Sequence, residues 1–301
     1  MQSNLLTTAL LPLALAIVML GMGLGLVPED FRRIARDPKA VAVGSLAQLV
    51  ILPILGALIV WMVPMPAPIA VGLMVVAICP AGPSSNVISY LAKGDVALSV
   101  SLTAISSLIT VVSIPVLANQ ALGILMGKQA QISLPIGATM LQILLITLVP
   151  TAIGMALRHR WPASALRLER QVSHLAAGLL AALILMILIK EGNRLPEFIW
   201  KVGLGVVLLN GLGSLAGYLA GRLLGLPLAQ QITLAIEVGI QNCTLALAIT
   251  AGLLRNQEMA VPAAVYGLWM YVTGLVAVRL GRRSMARSRM AMARATGPGS
   301  I

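Results

Sequence analysis

Charge is what this sequence has least of. Its 301 residues carry 21 Lys and Arg and nine Asp and Glu, where a soluble domain of that length would hold about 75 charged side chains. Too few charges remain to solvate a surface, and no single water-facing core absorbs a composition that is 59% apolar. Soluble enzymes, nucleic-acid binders and disordered scaffolds are thereby excluded. Cysteine is scarce as well. Cys79 and Cys243 both lie in apolar runs, which argues against a disulfide framework. The two histidines, His159 and His174, sit in or beside a basic loop and read as interfacial. Aromatic residues are few, and Trp161, Trp200 and Tyr218 fit an interfacial belt. Basic residues are also missing ahead of the first apolar run, so Leu5–Val27 reads as a spanning helix and not as a cleaved signal.

What remains is apolar sequence in long runs. A membrane span needs about 20 such residues. Cutting at charges and Pro/Gly clusters gives nine: 5–27, 39–63, 68–92, 96–123, 132–157, 171–189, 199–223, 228–253 and 259–280. The chain therefore reads as an all-α polytopic membrane protein of nine transmembrane helices. No segment is left for an ATPase module. With the N-terminus outside, 16 of the 21 Lys and Arg face the cytoplasm and five do not. The positive-inside rule then predicts N-out, C-in. The net charge of +12 is mostly this surplus, and the basic tail 281–301 is expected to touch anionic lipid, not nucleic acid.

Two spans look broken. In the third, Pro80-Ala81-Gly82-Pro83-Ser84-Ser85-Asn86 interrupts an apolar stretch; in the eighth, Glu237-Val238-Gly239-Ile240-Gln241-Asn242 does the same. Lying five spans apart, they enter from opposite faces, which suggests an inverted repeat. Unwound backbone at membrane depth belongs where protein or a polar cavity covers it. Ser84, Ser85 and Asn86 are the expected caps of a new half-helix, while Pro53 and Pro115 read as simple kinks.

Sorting the charges by depth isolates one. Eight of the nine acidic residues lie at or near span ends; Glu237 does not. It stands nine residues after Leu228, about 14 Å along a helix and close to the midplane. A carboxylate there must be neutralised, and no Lys or Arg lies at comparable depth. A proton, a bound cation or a partner from outside must serve. Gln241, Asn242 and Gln48 lie at similar depth, and Ser99, Thr103, Ser106, Ser107 and Thr110 share one face of the fourth span. Such oxygens suit a hard cation like Na⁺. Back-bonding of the hydroxyls to the preceding turn is the alternative.

The stretch Cys79–Asn86, continued by Tyr90-Leu91-Ala92-Lys93-Gly94-Asp95-Val96-Ala97-Leu98-Ser99-Val100, resembles the broken-helix signature of the bile acid:sodium symporter family, and Glu237–Asn242 resembles its second signature. The similarity is dense over 79–117 and 235–250 and elsewhere is mainly hydropathy and span order. It implies two Na⁺ sites sharing one glutamate: Ser85, Asn86, Ser99, Thr103 and Glu237 for the first; Gln48, Glu237, Gln241 and the main chain of Val238 and Ile240 for the second. It further implies two crossing broken helices in a core domain (about 39–125 and 199–280) beside a panel domain (about 5–27 and 132–189). Pro83, Ser84, Asn86, Asn242 and Tyr271 are then the residues nearest an organic anion bound between the domains. Pro83 stands where members often carry a small or hydroxyl residue. Met270-Tyr271 stands where some carry His-Asn after the tryptophan.

The expected function is sodium-coupled import of a small organic anion, bile-acid-like or a carboxylate such as pantoate, by alternating access in a bacterial inner membrane. A proton-coupled or uncoupled anion carrier of the same fold is the alternative. An intramembrane enzyme using Glu237 as acid/base is more remote, since the sequence has no second mid-membrane acid and no G-x-S-x-G elbow.

Overall fold

Proline placement explains much of the helix geometry in the computed structural model, which describes residues 11–27, 37–127, 135–165, 167–169, 171, 172, 175, 178 and 195–295. The helices with described bounds are, in chain order, α1 Leu11–Gly25, α2 Pro38–Met62, α3 Ala67–Ile78, α4 Ser84–Leu91 and α5 Val96–Met126, then α6 Ile136–Arg160, α7 Leu195–Leu223, α8 Leu228–Gly239, α9 Cys243–Leu253 and α10 Gln257–Ala295. Among the described residues the only extended pairing is a bridge between Ala81 and Gln241. Five of these helices are long and apolar enough to cross a membrane, and α1, α3 and α9 are shorter apolar segments. The protein is an integral, polytopic, all-helical membrane protein. The expected sixth span, 171–189, falls outside the described residues apart from 171, 172, 175 and 178.

Pro53 does more than kink its helix. A proline has no N–H and its ring crowds the carbonyl four residues back. Just ahead of it α2 widens into a π turn, Ala47–Ile51, closed by Leu52 N–H donating to the Ala47 carbonyl. Pro150 has the same effect on α6, where Leu144–Leu148 is a π turn closed from Val149 to Leu144. Gln48 lies inside the first of these turns and is buried. Such wide turns often mark functional positions.

Both expected breaks are present. α3 ends at Ile78 with Cys79 extended, and α4 restarts at Ser84. α8 ends at Gly239 with Ile240 extended (φ −106°, ψ 102°), and α9 restarts at Cys243. The breaks lie against each other. Gly82 N–H donates to the Ile240 carbonyl (3.1 Å), and Asn242 N–H donates to the Pro80 carbonyl (2.9 Å). Backbone groups orphaned by one break are thereby satisfied by the other. A side chain at Gly82 would press on the Gln241 carbonyl, 2.9 Å from its Cβ position.

Small residues set the remaining close approaches, as is usual between membrane helices. Gly213, Gly217 and Gly221 line the face of α7 on which α8 lies; a Cβ at Gly217 would strike the backbone of Leu234. Gly23 of α1 and Gly154 of α6 interlock in the same way, beside a hydrogen bond from the Thr151 hydroxyl to the Met19 carbonyl (3.3 Å). α10 continues as helix through Ala295, well past the expected span end at 280. Its 39 residues extend roughly 58 Å, beyond the thickness of a bilayer with its headgroups. The continuation is rich in Ala, Met and Arg, all good helix formers. It docks on α4, where Arg282 Nε donates to the Leu91 carbonyl (2.7 Å) and answers a C-terminal helix dipole.

Candidate functional site

Three helices deliver oxygen atoms to one place beside the paired breaks. Glu237, two residues before the end of α8, is 1% exposed. Its Oε1 accepts from the Ser85 hydroxyl on α4 (2.5 Å) and from the Ser99 hydroxyl on α5, and its Oε2 accepts from Thr103 on α5 (3.0 Å). Every one of these partners is neutral. The Ser99 hydroxyl also lies 2.8 Å from Asn86 Oδ1, and Ser85 Oγ lies 3.4 Å from Thr103 Oγ1.

Ser85, Ser99 and Thr103 have one hydroxyl proton each, three protons for five contacts. Ser99 shares its proton between Glu237 and Asn86 Oδ1, and Ser85 and Thr103 meet each other as well as Glu237. Converging oxygens around one carboxylate, short of protons, form a set that a hard monovalent cation fits. Among the described residues no three His, Cys, Asp or Glu side chains come together, so a soft-metal or multi-carboxylate centre is not part of this arrangement.

The first expected group, Ser85, Asn86, Ser99, Thr103 and Glu237, is thus brought together. Ser84, Ser85 and Asn86 are not caps, however: the α4 N-cap is Pro83, without a side-chain bond. Ser85 and Asn86 are turned to Glu237 and Ser99 instead. The hydroxyl face of α5 splits in two. Ser106 and Ser107 bond back to the Thr103 carbonyl, and Thr110 bonds back to Ser106 and Ser107.

The second expected group is adjacent but differently engaged. Gln48 Nε2 donates to Gln241 Oε1 (2.9 Å) and to the Cys79 carbonyl (3.1 Å), and Gln241 Nε2 donates to the Val238 carbonyl (2.7 Å). The Ile240 carbonyl accepts from Gly82. Amides and backbone satisfy one another along this chain, and one buried acceptor, Gln48 Oε1, has no hydrogen-bond partner.

Of the residues expected near an organic anion, Asn242 is buried and caps α9 by accepting from Leu245 N–H (3.0 Å). Pro83, Ser84 and Asn86 are half-buried at the start of α4. Tyr271 is partly exposed. A narrow cleft, with no room inside for a water molecule, lies beside the crossing. Pro80, Asn242, Leu245, Ser107 and Thr110 form one wall, and Met19, Ile143 and Thr147 from α1 and α6 form the other.

Residues 12–197 match the sodium bile acid symporter family, more than half of the chain. The chain belongs to that family. Its Bacillus subtilis (strain 168) relative, the uncharacterized sodium-dependent transporter YocS, is 34% identical over 267 residues, covering 86% of this chain and 79% of the relative. The Arabidopsis thaliana probable sodium/metabolite cotransporter BASS1, chloroplastic, is 31% identical over 270 residues (90% and 66%). The human ileal sodium/bile acid cotransporter is 28% identical over 269 residues (86% and 74%). These are transporters, and so is this protein; it is not an enzyme.

Two polar residues of this family member escaped the sequence reading. Asn210 on α7 and Tyr266 on α10 are both buried and both reach the Gly239 carbonyl, from Nδ2 at 2.7 Å and from the hydroxyl at 2.9 Å. A signal existed for Asn210, a carboxamide eleven residues into an apolar run, like Gln48. Tyr266 had none, since a tyrosine in a span reads equally well as packing.

Proposed function

We propose that the protein is a sodium-coupled symporter that imports a small organic monoanion by alternating access. The carrying observation is Glu237: a carboxylate at membrane depth held by three neutral hydroxyls, in a cluster with more oxygen contacts than protons. The printed names of its relatives, a sodium-dependent transporter and sodium cotransporters, support Na⁺ as the ion.

In this reading one Na⁺ sits among Ser85, Asn86, Ser99, Thr103 and Glu237. A second sits among Gln48, Gln241, Glu237 and the carbonyls of Val238 and Ile240, once the amides now bonded to each other turn their oxygens inward. Gln48 Oε1, buried and unpartnered, is the acceptor ready for that exchange. Two cations and one carboxylate leave the site at +1, which attracts a monoanion, and binding of ion and anion is mutually reinforcing. The anion enters between the crossing and the α1–α6 pair when that narrow cleft opens, near Pro83, Ser84, Asn86, Asn242 and Tyr271. Carrying two Na⁺ with one anion moves net +1 inward, worth about 2.3 kcal/mol per 100 mV. A tenfold Na⁺ gradient adds about 2.7 kcal/mol for two ions.

The same reading assigns nine spans in an inverted repeat. α3/α4 and α8/α9 are its crossing helices, in a core that rocks against a panel containing α1 and α6. The charge bias places the N-terminus outside a bacterial plasma membrane and the arginine-rich end of α10 at the cytoplasmic lipid surface.

The test is thermal unfolding of the purified protein with a panel of carboxylate and sulfated anions, in NaCl and in KCl of equal ionic strength. Stabilisation by one anion in Na⁺ alone is the expected result and names both ligands. Anion stabilisation that tracks pH and ignores Na⁺ overturns the assignment of the ion.

A further inference from the structure

The Gly239 carbonyl lies at the C-terminal end of a half-helix, where carbonyls lose their intrahelical partners. Water or a single cap would satisfy it. Here two side chains from two other helices converge on it, Asn210 from α7 and Tyr266 from α10, with Asn210 Nδ2 3.4 Å from the Tyr266 hydroxyl. Tyr266 is among the largest fully buried side chains. The other end of the same peptide unit is held too, since Ile240 N–H donates to the Ile236 carbonyl (2.8 Å). One peptide plane is thus fixed from both sides.

Its neighbours have partners of their own: the Val238 carbonyl accepts from Gln241 and the Ile240 carbonyl accepts from Gly82, both at the crossing. Val238 and Gly239 close α8 and Ile240 is extended, so the helix stops at the clamped peptide. Uninterrupted helix would instead give these carbonyls to N–H groups four residues on. Asn210 holds the Gly239 carbonyl while its own Oδ1 stays buried without a hydrogen-bond partner, an arrangement that stability alone disfavours.

We propose that Asn210 and Tyr266 are positioning residues for ion coupling: by clamping the Gly239 carbonyl they aim the flanking carbonyls of Val238 and Ile240 at the second cation site. This rests on the sodium sites proposed above. The two side chains touch neither ion nor anion. They act by denying the 238–240 segment its helical alternative.

The experiment titrates Na⁺ against thermal stability of the purified protein at constant total NaCl plus KCl, for the wild type, Tyr266→Phe, Asn210→Leu and Glu237→Gln. Tyr266→Phe removes one oxygen and keeps the packing, so its unfolding temperature in K⁺ stays near that of the wild type. Its half-saturating Na⁺ concentration rises about fivefold, the loss of one hydrogen bond, and the steepness of the titration falls. Asn210→Leu fills the same volume without the donor and shifts the titration further in the same direction. Both variants titrating like the wild type, whatever their stability in K⁺, overturns the clamp. If Na⁺ stabilises the wild type and not Glu237→Gln while the clamp variants behave normally, the sodium sites stand and the clamp alone fails. A wild type indifferent to Na⁺ removes both.

Discussion

The two oxygen clusters flanking the helix breaks are a few residues apart and chemically unlike. Around Glu237 the side chains are hydroxyls on short stems, held by helix backbones and converging on a carboxylate. Around Gln241 they are carboxamides, each carrying both donor and acceptor, and in this structure they satisfy each other. Hydroxyls offer an oxygen to a cation whichever way the proton turns. A carboxamide must rotate, and must first give up a hydrogen bond. The first cluster is therefore preorganised and the second is conditional, and in the proposed two-ion reading the order of filling follows from side-chain type: the hydroxyl cluster first, the amide cluster after.

The largest effect that would break this comparison is at the residue that both proposed sites share. Glu237→Ala is expected to abolish sodium stimulation of uptake in proteoliposomes; sodium-dependent uptake at the normal level contradicts both sites at once. Next come Ser99→Ala and Thr103→Ala, each removing one hydrogen bond to a charged group. Their half-saturating Na⁺ should rise about tenfold with the steepness of the titration retained, because the second ion still depends on the first. Gln241→Ala should do the opposite, lowering the Hill slope toward one while the initial phase of Na⁺ binding is retained; an unchanged slope would mean the amides hold no separate ion. Smallest is Ser106→Ala. That hydroxyl bonds back to the Thr103 carbonyl, and its loss should leave half-saturation within about twofold; a larger shift would extend the hydroxyl cluster beyond Thr103.

Glu237 was legible in the sequence because membrane depth makes charge expensive, and an expensive residue without a fixed partner implies a mobile one. The motifs at 80–86 and 237–242 were legible because prolines, glycine and short polar side chains rarely interrupt an apolar run twice. The fate of each hydroxyl on α5 was not. Ser99 and Thr103 reach outward and Ser106, Ser107 and Thr110 turn back, yet all share one helix face. Which of these a hydroxyl does depends on whether an acceptor stands opposite, and that is tertiary information. The pairing of Pro80 with Asn242 and Gly82 with Ile240 was equally hidden, because backbone partners carry no side-chain code. Pro53 was under-read for a related reason. A missing N–H predicts a disturbed helix but not that the ladder widens into a π turn containing Gln48.

The two-walled cleft has an evolutionary consequence. Every oxygen around Glu237, and every amide in the adjoining chain, comes from α2, α4, α5 or α8 and the breaks they flank. Met19, Ile143 and Thr147, the opposite wall, come from α1 and α6, which contribute none of them. In the proposed reading, substitutions on that wall change which anion fits and leave the ion ligands untouched, so lineages can inherit the ion sites unaltered and refit the anion site.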